Sequence, residues 1–426
     1  MSPLTRPFWV LIHRWAGLTL ALFLAMAGLT GTVLAWEDDL EALTAPHWLR
    51  AAPPVPGAPM LDAAALAVAA QAHHPGMSVS YLPLTVAPGK TLRLRVFWKE
   101  PEAVRHWQAP DWDELFIDPY TGAELGHRRW GDISQGIGNL LPFIYRLHEN
   151  LLVEGTGTLI MGIAALVWVI DCFVGFYLTL PMRQKVPVAV GKAKAWWPRW
   201  RPSWQVRRGG STYKLNFDLH RAGGLWVWPA LLVFALSSLS FNLPTIYGPV
   251  MKAMGATDDA ALYAPLPQPR PLPRLDVVKA HAVGEALARQ QAARAHDKFD
   301  AQRLQWLYYM PATGAYMYGF TTSGDVPDAG GASRLIFDGD NGALKNVALA
   351  ARVPAANRFT DWIVSLHMAS VWGVAWKIVT SLIGIMVTML SITGVVIWMK
   401  KRSARAFHRH RGERPAVVAR PVRKAA

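Results

Sequence analysis

The chain has 426 residues, 52% of them apolar and 17% charged, with a formal net charge of +15. That hydropathy excludes an ordinary soluble protein of two or three domains and points to a polytopic membrane protein. A single cysteine, Cys172, excludes an intrachain disulfide and argues against a thiolate-held zinc or iron–sulfur site within the chain.

In chain order, a short basic start leads into the first apolar run, Trp15 to Trp36, which is followed by Leu159 to Leu180, Ala222 to Leu243 and Ile378 to Met399. Each run is 22 residues long and, apart from Asp171, uncharged. At about 1.5 Å rise per residue each spans roughly 33 Å, the thickness of a bilayer core. The first run exceeds the apolar core of a signal peptide and is read as an uncleaved span. The fold class that follows is a membrane α-helical protein with four transmembrane helices. The predicted segments are a first span at 9–36, an external module at 37–147, a segment with the second span at 148–181, a basic loop at 182–217, a third span at 218–243, a second external module at 244–366, a segment with the fourth span at 367–399, and a basic tail at 400–426.

Residues 1–14, 182–217 and 400–426 hold 2, 9 and 10 Lys or Arg against one acid, Glu413. Basic residues collect on the cytoplasmic side, so both termini and the central loop are expected inside and residues 37–158 and 244–377 outside. The positive charge is accounted for by topology, with no nucleic-acid partner.

His13 and His220 lie two positions before the first and third runs, and His148 and His367 eleven positions before the second and fourth. Because successive spans alternate in direction, this places one histidine pair at each face. Neutral imidazole is a common haem-iron ligand, and two histidines on facing helices can hold a haem inside a bundle. His13 with His220 suits an inner haem and His148 with His367 an outer one. With no Cys-x-x-Cys-His, such haem would be b-type and non-covalent. Haem propionates call for cations near the membrane surface; Arg14, Arg221, Arg146 and Lys377 are the candidates, each with snorkelling toward headgroups as its plainer explanation. Eleven residues of straight helix would lift the outer histidines about 16 Å above the apolar edge. Breaks at Gly155, Gly157 and Gly373 would instead let those segments fold inward. Asp171, an ionisable group in hydrocarbon, reads equally as a proton or haem-tuning group near the inner site and as a protonated, hydrogen-bonded side chain.

The halves repeat. His13-Arg14 and His220-Arg221 open spans, with Gly17 and Gly224 four residues after each histidine. A helix predicted over 62–72 is followed by strands near 77–82, 91–98 and 114–117, and a helix over 277–291 by strands near 304–310, 316–321 and 333–337. Each module closes a strand with an Asp-x-x-x-Gly turn, Asp118 to Gly122 and Asp338 to Gly342.

These residues resemble the bacterial PepSY-associated transmembrane family. The similarity lies in the span openings His13-Arg14-Trp15-Ala16-Gly17-Leu18 and His220-Arg221-Ala222-Gly223-Gly224-Leu225, in Thr30-Gly31, Leu366-His367, Thr393-Gly394 and Trp398, and in the Asp-x-x-x-Gly closures, which look like PepSY modules. It covers about Phe8 to Arg402. Ser237-Ser238 stand where the first span has Thr30-Gly31, a departure expected to leave the candidate ligands untouched. The family includes inner-membrane ferrisiderophore reductases that carry haem. The resemblance therefore implies two periplasmic α+β PepSY-like modules, two bis-histidine b haems, a separate cytoplasmic or quinol electron donor, and an iron(III) siderophore or other periplasmic electron acceptor. A haem-free regulatory or binding protein is the alternative. A transporter is disfavoured by the parallel repeat and by the lack of paired Gly/Pro breaks within the spans.

Overall fold

The computed structural model describes residues 5–98, 112–182, 195–257, 265–296, 298–300, 303, 305–322, 325–326 and 333–412. The predicted basic loop at 182–217 and tail at 400–426 therefore lie partly outside the described residues, as does Leu304 at a predicted strand start.

The first half runs α1 (Arg6–Leu34), α2 (Glu37–Thr44), α3 (Pro46–Leu49), α4 (Ala63–His73), β1 (Met77–Pro83), β2 (Leu92–Trp98), β3 (Glu114–Ile117), β4 (Glu124–Arg128), α5 (Leu140–Asn150) and α6 (Thr156–Thr179). The second half runs α7 (Trp196–Trp200), α8 (Thr212–Trp226), α9 (Trp228–Asn242), α10 (Pro244–Ala253), α11 (Val277–Arg294), β5 (Trp306–Met310), β6 (Ala315–Phe320), β7 (Ser333–Asp338), β8 (Leu344–Ala348), α12 (Ala355–His367) and α13 (Gly373–Gly412). Among the described residues α1, α6 and α13 are long and apolar enough to cross a membrane unaided. The predicted third span is not one straight helix: α8 and α9 meet at a 69° bend. Pro229, in the first turn of α9, explains the break at Val227: it has no N–H to give the Leu225 carbonyl four positions before it, and its ring crowds that carbonyl. The continuous α1 has no matching bend, so the break is not paired across the repeat.

The chain divides into two compact units. The smaller comprises Met1–Leu29, Leu166–Leu232 and Ile383–Ala426; the larger comprises Thr30–Ala165 and Val233–Leu382.

In the larger unit both modules share one antiparallel sheet, in the order β4-β3-β2-β1-β5-β6-β7-β8. The modules join edge to edge through β1 and β5, with Tyr81 opposite Tyr308 and Leu82 opposite Leu307. Alternating side chains put Leu92, Leu94, Leu115, Leu335 and Phe337 on the buried face with the alanines of α4 and α11. Each of these helices starts on an aspartate cap, Asp62 accepting from the Ala65 amide at 2.7 Å and Asp276 from the Lys279 amide at 2.8 Å. The two Asp-x-x-x-Gly turns are built alike. Asp118 Oδ1 accepts from the Tyr120 amide at 2.8 Å and Asp338 Oδ1 from the Asp340 amide at 2.9 Å, with Gly122 and Gly342 at φ 76° and 74°. Both turns lead into a fourth strand that the hydropathy pattern does not show. β4 and β8 are the sheet edges, short strands of mixed composition that are only partly buried.

The modules differ in one buried feature. In the first, Arg128 and Arg93 bind Glu114 at 2.8 Å each, and Arg128 also binds Glu41 at 2.5 Å. Burial works to raise the Glu114 carboxyl, but the two guanidiniums prevail and hold it below the usual carboxylate range. In the second module the strand register puts Arg334 at the place of Glu114 and Ala348 at that of Arg128, so this buried pairing has no counterpart there.

Candidate functional site

In the smaller unit His13 lies on α1 and His220 on α8, with ring centroids 6.2 Å apart and planes at 57°. In the larger unit His148 lies in the last turn of α5 and His367 ends α12, with centroids again 6.2 Å apart and planes at 74°. Two imidazoles bonded on opposite sides of one metal, at about 2 Å per bond and with about 1 Å from nitrogen to ring centre, have centroids about 6 Å apart. Both pairs have that spacing.

Each ring is held through Nδ1. His13 Nδ1 donates to Asp171 Oδ1 of α6 at 2.9 Å. His220 Nδ1 donates to the Leu390 carbonyl of α13 at 3.0 Å and lies 3.0 Å from Thr393 Oγ1. His148 Nδ1 lies 2.8 Å from Thr30 Oγ1, and His367 Nδ1 lies 2.7 Å from Ser237 Oγ. The hydroxyl protons of Ser237 and Thr393 point back to helix carbonyls, Val233 O at 2.8 Å and Met389 O at 2.7 Å. Those hydroxyl oxygens therefore accept, His367 and His220 carry the proton on Nδ1, and Nε2 keeps its lone pair. A metal-ligating histidine is ordinarily oriented this way by its second nitrogen.

The rings also rest against glycines. A Cβ built on Gly31 would meet His148 Cε1 at 3.2 Å, one on Gly175 would meet His13 Cε1 at 3.3 Å, and one on Gly394 would meet His220 Cε1 at 3.2 Å. His367 packs instead between Phe234 and Phe241, at 4.9 and 5.4 Å between ring centres.

The outer histidines do not stand on straight extensions of the spans. After α5 the chain reverses through Leu151 and Leu152, at φ 58° and 64°, with Gly155 at 69°. After α12 it reverses through Ala369 at 52°, then Trp372 and Gly373 at 53° and 55°. Left-handed non-glycine residues store on the order of 1 kcal/mol each, and here they turn two short helices so that their histidines reach hydroxyls on α1 and α9. The inward fold allowed by the glycines is the one observed, although most of the reversal falls on leucine, alanine and tryptophan.

The expectation that the Thr30 to Ser237 change touches no ligand is overturned. Both side chains contact a histidine, and both do so through a hydroxyl, which is what the substitution retains. The repeat register carries this signal: Ser237 follows Thr30 by 207 positions, as His220 follows His13. Likewise Leu390 follows Asp171, and Gly394 follows Gly175, by the 219 positions that separate His367 from His148. Asp171 thus occupies the place of Leu390, and its carboxylate does for His13 what a main-chain carbonyl does for His220.

Around the inner pair lies a cavity of about 1000 Å³, lined by His13, His220, Arg14, Arg221 and Asp171. Arg221 is held by Asp218 at 3.0 Å and by the Pro202 carbonyl at 2.8 Å. Arg14 lies over the Trp15 ring, 5.5 Å from its centre. The Nε atoms of both arginines are buried with no hydrogen-bond partner, leaving donors for an anion. Arg6, Lys401 and Arg402 line the same cavity, and proximity to the inner pair in sequence does not reveal them. The outer cation candidates have acidic partners of their own, Arg146 at 3.5 Å from Glu154 and Lys377 at 2.9 Å from Asp39. Among the described residues no group of three or more His, Cys, Asp or Glu is arranged to hold a bare metal ion.

No curated protein matches the chain closely enough to be named as a relative. The family described as the PepSY-associated TM region matches residues 10–401, and on that match the chain belongs to this family of membrane proteins.

Proposed function

We propose that this protein is a haem-bearing oxidoreductase of the bacterial inner membrane that passes electrons from a cytoplasmic or quinol donor to an acceptor on the periplasmic side, an iron(III) siderophore. The observation that carries the reading is the pair of facing imidazole couples, each at 6.2 Å and each with its Nδ1 engaged. The residues fit the group. His13 with His220, and His148 with His367, would hold the iron; glycines lie against the edges of three of these rings; and the unpartnered Nε atoms of Arg14 and Arg221 would suit propionates. When bound, b haem supplies a one-electron carrier that changes oxidation state without bond making or breaking.

The chain itself contributes orientation. Hydroxyl, carbonyl and carboxylate partners hold the four rings through Nδ1, which would leave each Nε2 for a metal. The basic segments at 1–14, 182–217 and 400–426 favour an inner pair at the cytoplasmic face and a sheet on the periplasmic side. There the sheet is the natural docking surface for the acceptor. Reduction of a bound iron(III) to iron(II) weakens hard-oxygen chelation and releases the metal. The sequence has no Gly-rich nucleotide loop after a strand, so the donor is a separate molecule and not bound NADH.

The deciding experiment is a visible spectrum of protein purified from haem-replete cells, followed by stopped-flow reoxidation with a ferric hydroxamate and an iron(II) chelator. Sharp reduced bands removable by acidified solvent, and reoxidation faster than in buffer, are expected. A colourless protein would favour the haem-free regulatory reading. A coloured protein indifferent to ferric chelates would require another acceptor.

A further inference from the structure

Residues 195–217 of the central basic segment hold Arg199, Arg201, Arg207, Arg208 and Lys214 and no acid. The segment does not stand away from the spans. The Trp200 ring packs on Phe176 of α6 with 6.0 Å between centres, and its Nε1–H donates to Thr179 Oγ1 at 3.3 Å. Ser203 Oγ donates to the Thr179 carbonyl at 3.1 Å, and Thr179 is the last residue of α6. On the α8 side, Arg221 donates to the Pro202 carbonyl at 2.8 Å and the Trp226 indole to the Trp204 carbonyl at 3.1 Å. Residues 200–204 are thus tied where the second apolar run ends and the third begins. That is the depth at which hydrocarbon gives way to headgroups.

Trp196 and Trp197 stack on Trp200, 4.9 and 5.6 Å between ring centres, yet they are 51% and 54% exposed. Indole, with an apolar body and one N–H, favours the membrane–water boundary. Arg201 and Arg208 are exposed in the same segment. Asp218, the first acid after it, is already shared by Arg207 at 2.7 Å and Arg221 at 3.0 Å. A surface with two indoles and exposed guanidiniums at the end of a span matches a molecule with apolar chains and an anionic phosphate. An acidic protein would meet the charge but not the indoles at that depth.

We infer that residues 196–208 form a binding surface for anionic phospholipid, with Arg201 and Arg208 drawing the headgroup phosphate and Trp196 and Trp197 lying against the lipid at the boundary. The inference rests on the membrane spans and does not depend on haem. In the orientation proposed above, the lipid belongs to the cytoplasmic leaflet, whose surface is negative.

The test places the full-length protein in phosphatidylcholine vesicles with trace spin-labelled phosphatidylglycerol or spin-labelled phosphatidylcholine, and compares the motionally restricted fractions. Wild type should select phosphatidylglycerol, and added salt should shrink the selection. Arg201→Gln/Arg208→Gln should cut the selectivity by about fivefold or more. Lys279→Gln/Arg289→Gln removes as much charge from exposed positions of α11 and should leave it unchanged. A second measurement does not need the arginine variant to fold: a nitroxide on Trp197→Cys, in a Cys172→Ser background, should be relaxed by oxygen more than by a water-soluble nickel chelate. Selectivity that is absent in wild type, or equal in the two double variants, overturns the inference. So does a label open to the nickel chelate, which would leave the face to a soluble partner, or one broadened by a second label, which would assign it to another copy of the chain.

Discussion

The two histidine pairs reach the same 6.2 Å spacing by different constructions. His13 and His220 sit within membrane helices, and the packing of those helices places them. His148 and His367 sit at the ends of short helices, α5 and α12, and owe their place to left-handed turns at Leu151, Leu152 and Ala369. A histidine within a membrane helix takes its position from the packing along that helix, whereas a histidine at a helix end depends on a few backbone angles and one hydrogen bond. The outer pair should therefore be the more easily damaged by changes that leave the histidines themselves untouched.

The largest effect tests whether the pairs are units at all. His13→Ala and His220→Ala should abolish the same haem signal, and His148→Ala and His367→Ala the other, read as loss of one of two resonance signatures. A lesion shared between His13 and His367 would break the comparison.

The partners of Nδ1 come next. His367 relies on Ser237, while His220 has the Leu390 carbonyl as well as Thr393. Ser237→Ala should weaken haem retention at the outer site by about 10- to 100-fold, the usual effect of losing an outer-shell partner. Thr393→Val should weaken the inner site only a few-fold. Haem transfer to apomyoglobin measures both, and equal losses would show that the second acceptor on His220 carries no weight.

A smaller effect probes the turns. Leu151 stands at φ 58°, which a β-branched residue tolerates poorly. Leu151→Val should destabilise the outer site by about 1–2 kcal/mol in thermal melts followed at the haem band, and Leu151→Gly should be tolerated. No substitution of this kind has a counterpart at the inner pair.

The smallest concerns pH. Burial, reinforced by the nearby Glu41 carboxylate, pushes Glu37 up from 4.5 to about 7. Between those values the folded protein holds more protons than the unfolded chain, so this group's contribution to stability falls as pH rises through the window. Glu37→Gln should flatten that dependence, with a gain on the order of 1 kcal/mol above pH 7 after screening. A slope unchanged by the substitution would assign it to other groups.

Much of this was legible in the chain. A helix that must satisfy its own backbone in hydrocarbon writes itself as a long apolar run, and four such runs with a histidine before each are visible without coordinates. The aspartate-capped helices, the buried strands and the Asp-x-x-x-Gly turns are equally local, because capping and left-handed glycine depend on residues within four positions. Four matters were decided only by tertiary structure. The edge strands β4 and β8 are stabilised by their ladder partners and not by their own mixed composition. The union of both modules in one sheet depends on β1 meeting β5 across more than 200 residues. The break at Val227, just before Pro229, depends on whether neighbouring helices accept a bend. The partners of the four imidazoles, Thr30, Asp171, Ser237 and Leu390, lie 118 to 170 positions from their histidines. Hydropathy sets depth in the membrane but not rotation about a helix axis, and it is rotation that brings a hydroxyl, a carbonyl or a carboxylate to an imidazole nitrogen.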